Sequence, residues 1–329
     1  MEIVKYQDSY EMAWDRFINR DSINGTLLQT RKFLNYHAEG RFQDHSLMIM
    51  KGSNIVAVIP ANCVMEEGEK VFYSHQGSTF GGMIVGKQYK KISDLEVMID
   101  LFEQYLIEQA FDKIVLKQTS ELYSKDEFEM LYYMLFTRGY QSMLEVGYYL
   151  DLKSVSPDEI EKSFSASRRR DYRYSLKNEL TFHELKTEEE IKQFYQILLN
   201  NMTKFDTKPV HTCEELLDLY QNRIPEEMRF FGVFEQQEMI AGGMLFDFGK
   251  KVFHTQYLAT NQEKLQLYPN EFLYHSLIKQ AIADEYPYIS FGTATLEHGK
   301  VLNKSLAQFK EGFGTKQFVN YTFYKTIKA

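Results

Sequence analysis

VFHTQYLATNQEKLQLYPNEFLYHSLIKQAIADEYPYISFG, residues 252–292, decides the fold. Val252 to Thr260 is rich in β-branched and aromatic residues and reads as a strand. Pro269 suits the first turn of a helix, because its missing N–H has no intrahelical partner there, and the helix is expected to run to Glu285. Pro287–Gly292 (PYISFG) is a second short strand. Strand, loop, helix and strand within about forty residues form one α/β unit.

Working outward, FFGVFEQQEMIAGGMLFDFGKK (230–251) continues a strand meander, with turns at Gln236-Gln237 and Gly249-Lys250. Thr187 with Glu190 three residues on is a capping box opening a helix toward Met202. Ser156-Pro157-Asp158-Glu159 predicts another helix start, the helix reaching Asn178 or breaking near Ser165. GTKQFVNYTFYK, residues 314–325, is a closing strand or strand pair. The first half carries the same order of elements. Ser9–Arg20 has helical spacing, Thr30 caps a short helix to Tyr36, and Gly52-Ser53 joins a hairpin. Glu66–Glu69 turns into the strand VFYSH, Lys91–Gln109 is an amphipathic helix, and KIVLKQ is a strand. Asp126–Arg138 is a helix stopped by Gly139, and Gly147–Leu152 is a strand. Two halves with one order of elements imply an internal duplication, with domains 1–152 and 153–329.

The 329 residues suffice for two cores. A net charge of −8 argues against a general nucleic-acid binder, whose phosphate contacts need a basic face. Two widely spaced cysteines, Cys63 and Cys213, exclude a disulfide scaffold and fit a reducing cytoplasm. The N-terminal segment lacks the apolar run of a signal peptide, and no stretch approaches a membrane span. No metal-ligand spacing, Walker loop, HExxH or GxSxG is present, and His211 near Cys213 lacks partners for a metal.

Several residues stand out chemically. Ser74, His75, Gly77, Ser78, Thr79, Gly81 and Gly82 form a glycine-dense polar loop, suited to exposing N–H groups to phosphate or sugar, with His75 a candidate general base. Arg168-Arg169-Arg170 opens a basic helix on which Arg169, Arg173 and Lys177 share one face and Arg168 and Tyr172 another. Alternation along one strand puts His254 and Gln256 on one side and Phe253, Thr255 and Tyr257 on the other. Lys310 lies in the glycine-rich, aromatic turn Phe309–Gly314.

Pro269-Asn270, Ile289-Ser290-Phe291-Gly292, Phe309-Lys310-Glu311-Gly312-Phe313-Gly314 and the basic Ser167–Tyr172 helix, taken in this order, resemble the FemAB and BioF2-like acetyltransferase group of the GNAT superfamily. The resemblance spans most of the chain and is strongest from about Ser156 to Tyr324. It implies an α/β fold of mixed sheet with two tandem GNAT-like (acyl-CoA N-acyltransferase) domains. It implies an acyltransferase moving an acetyl or acyl group from acyl-CoA to an amine, without a metal. The acceptor class is a small molecule such as an amino sugar or a nucleotide-linked glycan precursor of the cell envelope. The resemblance also implies His75, Tyr257 and Lys310 as catalytic candidates. The loop residues, Arg168, Arg169, Tyr172, His254, Asn270, Gly292 and Phe313 become binding candidates. The common GNAT pyrophosphate loop is glycine-rich, whereas Gln262–Asn270 has no glycine, so the glycine loop of the first half is the alternative phosphate site. Two rival functions share the fold: a Fem-type aminoacyltransferase using aminoacyl-tRNA, and a non-catalytic module binding glycan or nucleotide-sugar.

Overall fold

The computed structural model describes residues 1–38, 40–153, 155–203 and 207–327. The chain divides into two compact units, 1–145 with 298–300 and 319–329, and 146–297 with 301–318. The sequence boundary at 152/153 therefore differs from the division in space. The strand around residue 147 begins earlier, at Gln141, and the chain's last strand returns to the first unit.

In the first unit, β1 (Glu2–Lys5), β2 (Leu47–Lys51), β3 (Asn54–Ile59) and the short β6 (Ile84–Val85) form one sheet, in the order β1-β2-β3-β6. A second sheet takes β4 (Asn62–Glu66), β5 (Glu69–Tyr73) and β7 (Lys113–Lys117), continued by the closing strand. Pro60 lacks an N–H to extend a ladder, so the apolar run from Asn54 to Glu66 forms two strands in two sheets. β5 and β7 are parallel. The helices are α1 (Glu11–Arg16), α2 (Arg31–Leu34), α3 (Ile92–Glu108) and α4 (Glu129–Thr137). Thr30 accepts from the Phe33 N–H and caps α2 as expected. Leu95, Met98, Ile99, Phe102 and Leu106 of α3 pack on Phe72, Ile114 and Leu116 of the sheet.

The second unit is one sheet, ordered β8 (Gln141–Asp151), β13 (Tyr288–Thr293), β12 (Val252–Thr260), β11 (Glu238–Phe248), β10 (Met228–Glu235), β9 (Thr181–Leu185). Its helices are α5 (Ala166–Ser175), α6 (Glu188–Thr203), α7 (Cys213–Asp218), α8 (Pro269–Ala283) and α9 (Lys304–Glu311). A two-stranded ribbon, β14 (Thr295–Leu296) and β15 (Val301–Leu302), precedes α9, and β16 (Lys316–Thr326) closes the chain. The Thr187–Glu190 capping box forms, with Thr187 N–H donating to Glu190 over 3.0 Å. The helix expected from Ser156 breaks at Ser165: only a single 3-10 turn forms at Ile160–Lys162, and Ser165 caps α5. On one face of the sheet, Leu273, Leu277, Ile278 and Ala281 of α8 pack on Phe231, Leu245, Phe253 and Ile289.

Two features of this sheet shape the site. β12 and β13 run parallel but pair only from Val252↔Tyr288 to His254↔Ser290, and the pairing ends there. A bulge opposite Met244/Leu245 leaves Gln256 as the extra residue on β12, so Tyr257 pairs with Met244 and His254 with Phe246. Directly paired residues share a face, so the bulge puts Tyr257 on the same face as His254. The simple alternation expected from the sequence is corrected there.

Candidate active site

Lys310 is the last-turn lysine of α9, not a turn residue; the turn begins after it, where Gly314 takes a φ of +78°. It is 5% exposed, and its Nζ donates to the Thr293 carbonyl over 2.6 Å. Burial pulls its ammonium down to about 8. Gly292, at φ +70°, lies where β13 is irregular against β8. A Cβ placed on Gly292 would sit 3.7 Å from His254 Cε1 and 4.0 Å from Lys310 Nζ. The absent side chain therefore leaves a methyl-sized gap, bordered by an imidazole, a lysine and the Thr255 carbonyl, at the point where the β12–β13 pairing ends.

His254 is deeply set, and burial first, then the Lys310 charge, pull its pKa down to about 3. It nonetheless keeps some open surface, as do Gln256, Tyr257, Gly292 and Thr293, whereas Ser290 and Lys310 are closed off. The methyl-sized gap over Gly292 is thus a shallow recess bordered by groups that keep some open surface.

A hydrogen-bond chain runs along this recess. Gly292 N–H donates to Ser290 Oγ at 3.2 Å, and Ser290 Oγ lies 3.1 Å from His254 Nδ1. The Gln256 amide bonds both His254 and Tyr257. Burial disfavours the charged form, so the imidazole is neutral at pH 7. Tyr257 Oη lies 2.8 Å from His211 Nδ1, and the backbone N–H groups of Val210 and His211 also reach its oxygen. Burial raises Tyr257 to about 12, so its proton stays on at neutral pH. Ser290, Gln256, Thr293 and His211 were not singled out as site residues from the sequence. Only the order Ile289–Gly292 pointed toward Ser290, and no sequence signal marks a bulge at Gln256.

The remaining candidates fall into other roles. Arg168 forms a close ion pair with Glu271, a buried carboxylate in the first turn of α8, and its guanidinium lies 4.4 Å over the Phe309 ring. Tyr172 stacks on His275 at 4.0 Å, so Arg168 and Tyr172 do face inward as a pair. Arg169 donates to the carbonyls of Glu161, Lys162 and Phe164, tying down the segment before α5 rather than presenting a free fork. Asn270 accepts from the Thr260 hydroxyl at 2.5 Å and fastens the end of β12 to α8. Phe313 is fully buried among Phe164, Tyr274, Phe291 and Phe309, which makes it core rather than a ligand contact.

The glycine loop belongs to the first unit and is closed on itself. Ser74 Oγ accepts from Lys117 N–H at 2.6 Å, extending the β5–β7 pairing. Ser78 donates to the Leu28 and Phe80 carbonyls, and its own carbonyl takes the Lys117 ammonium. The N–H groups of His75, Gln76, Ser78 and Gly81 are all bonded within the unit. Gly77, Gly81 and Gly82 face His37, Ser74 and Gln118 at separations too short for a Cβ. Of the loop from Ser74 to Gly82, Gln76 and Thr79 are exposed. The loop's glycines answer to packing, and the expected phosphate cradle is not formed by those four N–H groups. His75 is 3% exposed, packs on His37 and Phe42, and is pulled down to about 3 by burial, which makes it a weak base.

With this geometry in view, residues 163–300 match the acetyltransferase (GNAT) domain family. The second unit carries a GNAT acetyltransferase domain. The whole chain has the FemAB-like tandem GNAT fold, and its enzyme class is acyltransferase. The crystal structure of FemX superposes with a TM-score of 0.70 at 14% identity, over 99% of this chain and 98% of that one. L-PGS from Bacillus licheniformis gives 0.61 at 13%, over 99% and 94%. A tandem GNAT protein from the clavulanic acid biosynthesis pathway gives 0.57 at 8%, over 100% and 99%. No curated protein matches by sequence. Among the described residues there is no cluster suited to a metal, and no helix is long and apolar enough to cross a membrane.

Proposed function

We propose that the second unit transfers an acyl group to an amine, with the reacting carbonyl in the recess over Gly292 and Lys310 as its electrophilic partner. The observation that carries this reading is a buried ammonium beside the methyl-sized gap over Gly292, where the β12–β13 pairing ends. An ammonium in a water-poor site stabilises the oxyanion that forms as the amine attacks. The tetrahedral intermediate then expels the donor's sulfur or oxygen, and the nitrogen loses a proton to solvent or to a base.

Acyl-CoA is the donor first implied by the resemblance. The start of α8 favours the aminoacyl-tRNA alternative. Pro269 offers no N–H, and Glu271 puts a buried carboxylate where a helix N-terminus would otherwise attract pyrophosphate. A donor whose acyl ester is anchored elsewhere does not need N–H groups at that helix start. The acceptor class remains an amine on an amino sugar or an envelope precursor, reached in the cytoplasm.

The test is a calorimetric titration with acetyl-CoA and, separately, with charged and uncharged tRNA, followed by turnover with Lys310→Ala. Saturable binding of one donor together with a loss of turnover of 100-fold or more in the variant, a scale of about 3 kcal/mol, supports the reading. Undiminished turnover by Lys310→Ala removes Lys310 from the chemistry. Binding of a sugar nucleotide alone, without either donor, supports a binding module instead.

A further inference from the structure

Lys310 needs to stay both buried and charged, two demands that oppose each other. Among the described residues, few titratable groups stand around it. His254 of β12 faces it across Gly292. Glu311 follows it on α9 and is held by the Tyr148 hydroxyl of β8 at 3.3 Å. Arg168 of α5, paired with Glu271 of α8, lies on the far side of Phe309. The group nearest the recess is therefore the imidazole, held at Nδ1 by Ser290 and also bonded by Gln256.

We propose that His254 is a positioning residue for Lys310, a neutral wall that keeps water from the ammonium and holds Nζ on the Thr293 carbonyl. This deepens the acyltransferase reading and rests on it. The Ser290–His254–Gln256–Tyr257–His211 chain is the device that fixes the ring. Gly292 N–H ends the chain one residue before the carbonyl that anchors Lys310, so the orientation of the ring and the position of the anchor are coupled through two covalently adjacent residues. Tyr257 acts here through His254 rather than as the acid that protonates the leaving group.

The sign of the pH effect follows from the chemistry. The electrophilic form is the ammonium, so turnover is held below the lysine pKa and lost above it. Because burial lowers that pKa to about 8, the alkaline limb of the rate profile is expected near pH 8. His254→Ala opens imidazole-sized space, admits water and lets the limb climb toward the ordinary lysine range of about 10.4, while turnover at neutral pH falls about 10- to 100-fold through misplacement. His254→Gln refills the space and is expected to return the limb most of the way.

The experiment is a pair of pH titrations on the full chain. One follows turnover of the donor identified by calorimetry; the other follows the 13Cε signal of Lys310 in 13C-lysine protein, assigned with Lys310→Met. The NMR titration needs no substrate, so it decides the positioning role even if the acyl-transfer reading fails. An upward shift of the Lys310 midpoint in His254→Ala, reversed in His254→Gln, supports the proposal. A midpoint that is the same in wild type and His254→Ala overturns it, as does a wild-type midpoint already at the ordinary lysine value.

Discussion

At the scale of single residues, Arg168 and Gly292 make opposite demands. Among the described residues Arg168 is the one ionic partner of Glu271, whose carboxyl is pushed upward by burial before the Arg168 charge pulls it back. Removing the arginine strands a buried carboxylate, and Arg168→Ala is expected to cost about 3 kcal/mol in urea unfolding at pH 7. The folded-state pKa of Glu271 is then raised further above its unfolded value, so the protonated form is favoured in the fold as pH falls. The loss is therefore expected to shrink between pH 7 and pH 5, and a loss independent of pH would rule out the stranded carboxylate as its cause. Gly292→Ala meets no hard contact, with its nearest neighbours at 3.7 Å or more, but it takes an L-residue to a φ of +70°. Stability should drop by only about 1–2 kcal/mol, whereas turnover should fall further than that, because the methyl fills the recess. Equal losses in melting and in turnover would show that the space is not used.

At the scale of elements, the glycine loop between β5 and β6 separates packing from binding. Gly82 has a φ of +71° and its Cβ would lie 2.4 Å from Gln118 Oε1, whereas Gly52 in the β2–β3 turn has a φ of +60° with nothing within 4 Å. Gly52→Ala should cost about 1 kcal/mol of strain, and Gly82→Ala about 1–3 kcal/mol more from overpacking. Donor affinity of the folded Gly82→Ala protein should be unchanged. A selective loss of binding with intact stability would restore the loop as a phosphate site. The elements themselves were largely legible: the β10–β12 meander, α3 and α8 have long periodic patterns, and Thr30 and Thr187 announce their caps. The sites were less so. The Gln256 bulge inserts one residue without any compositional mark, and it moves Tyr257 to the other face. Arg169 looked like an anion fork because its true partners are backbone carbonyls, which no letter of the sequence displays. Lys310 was visible through its aromatic and glycine neighbours, yet those same glycines disguised the end of a helix as a turn.

At the scale of the whole molecule, the first unit contains both the beginning and the end of the chain. Two consecutive domains read from element order would fold one after the other. The register shows otherwise: Thr322 to Thr326 of β16 pair with Lys117 to Lys113 of β7, and Phe323 is buried in the first unit's core. Deleting residues 319–329 removes that ladder and an aromatic from a core that includes Phe72, Ile114 and Leu116. Loss of the Phe323 side chain alone is expected to cost about 3–5 kcal/mol, which is a large share of the total stability of a typical domain. Hydrogen exchange then discriminates by region. In the truncated chain, the amides of β5 and β7 should lose protection by several orders of magnitude, while those of β10, β11 and β12 in the second unit keep most of theirs. If β7 stays as protected as in the full chain, its pairing with β16 contributes little and the first unit is complete without the C-terminal strand.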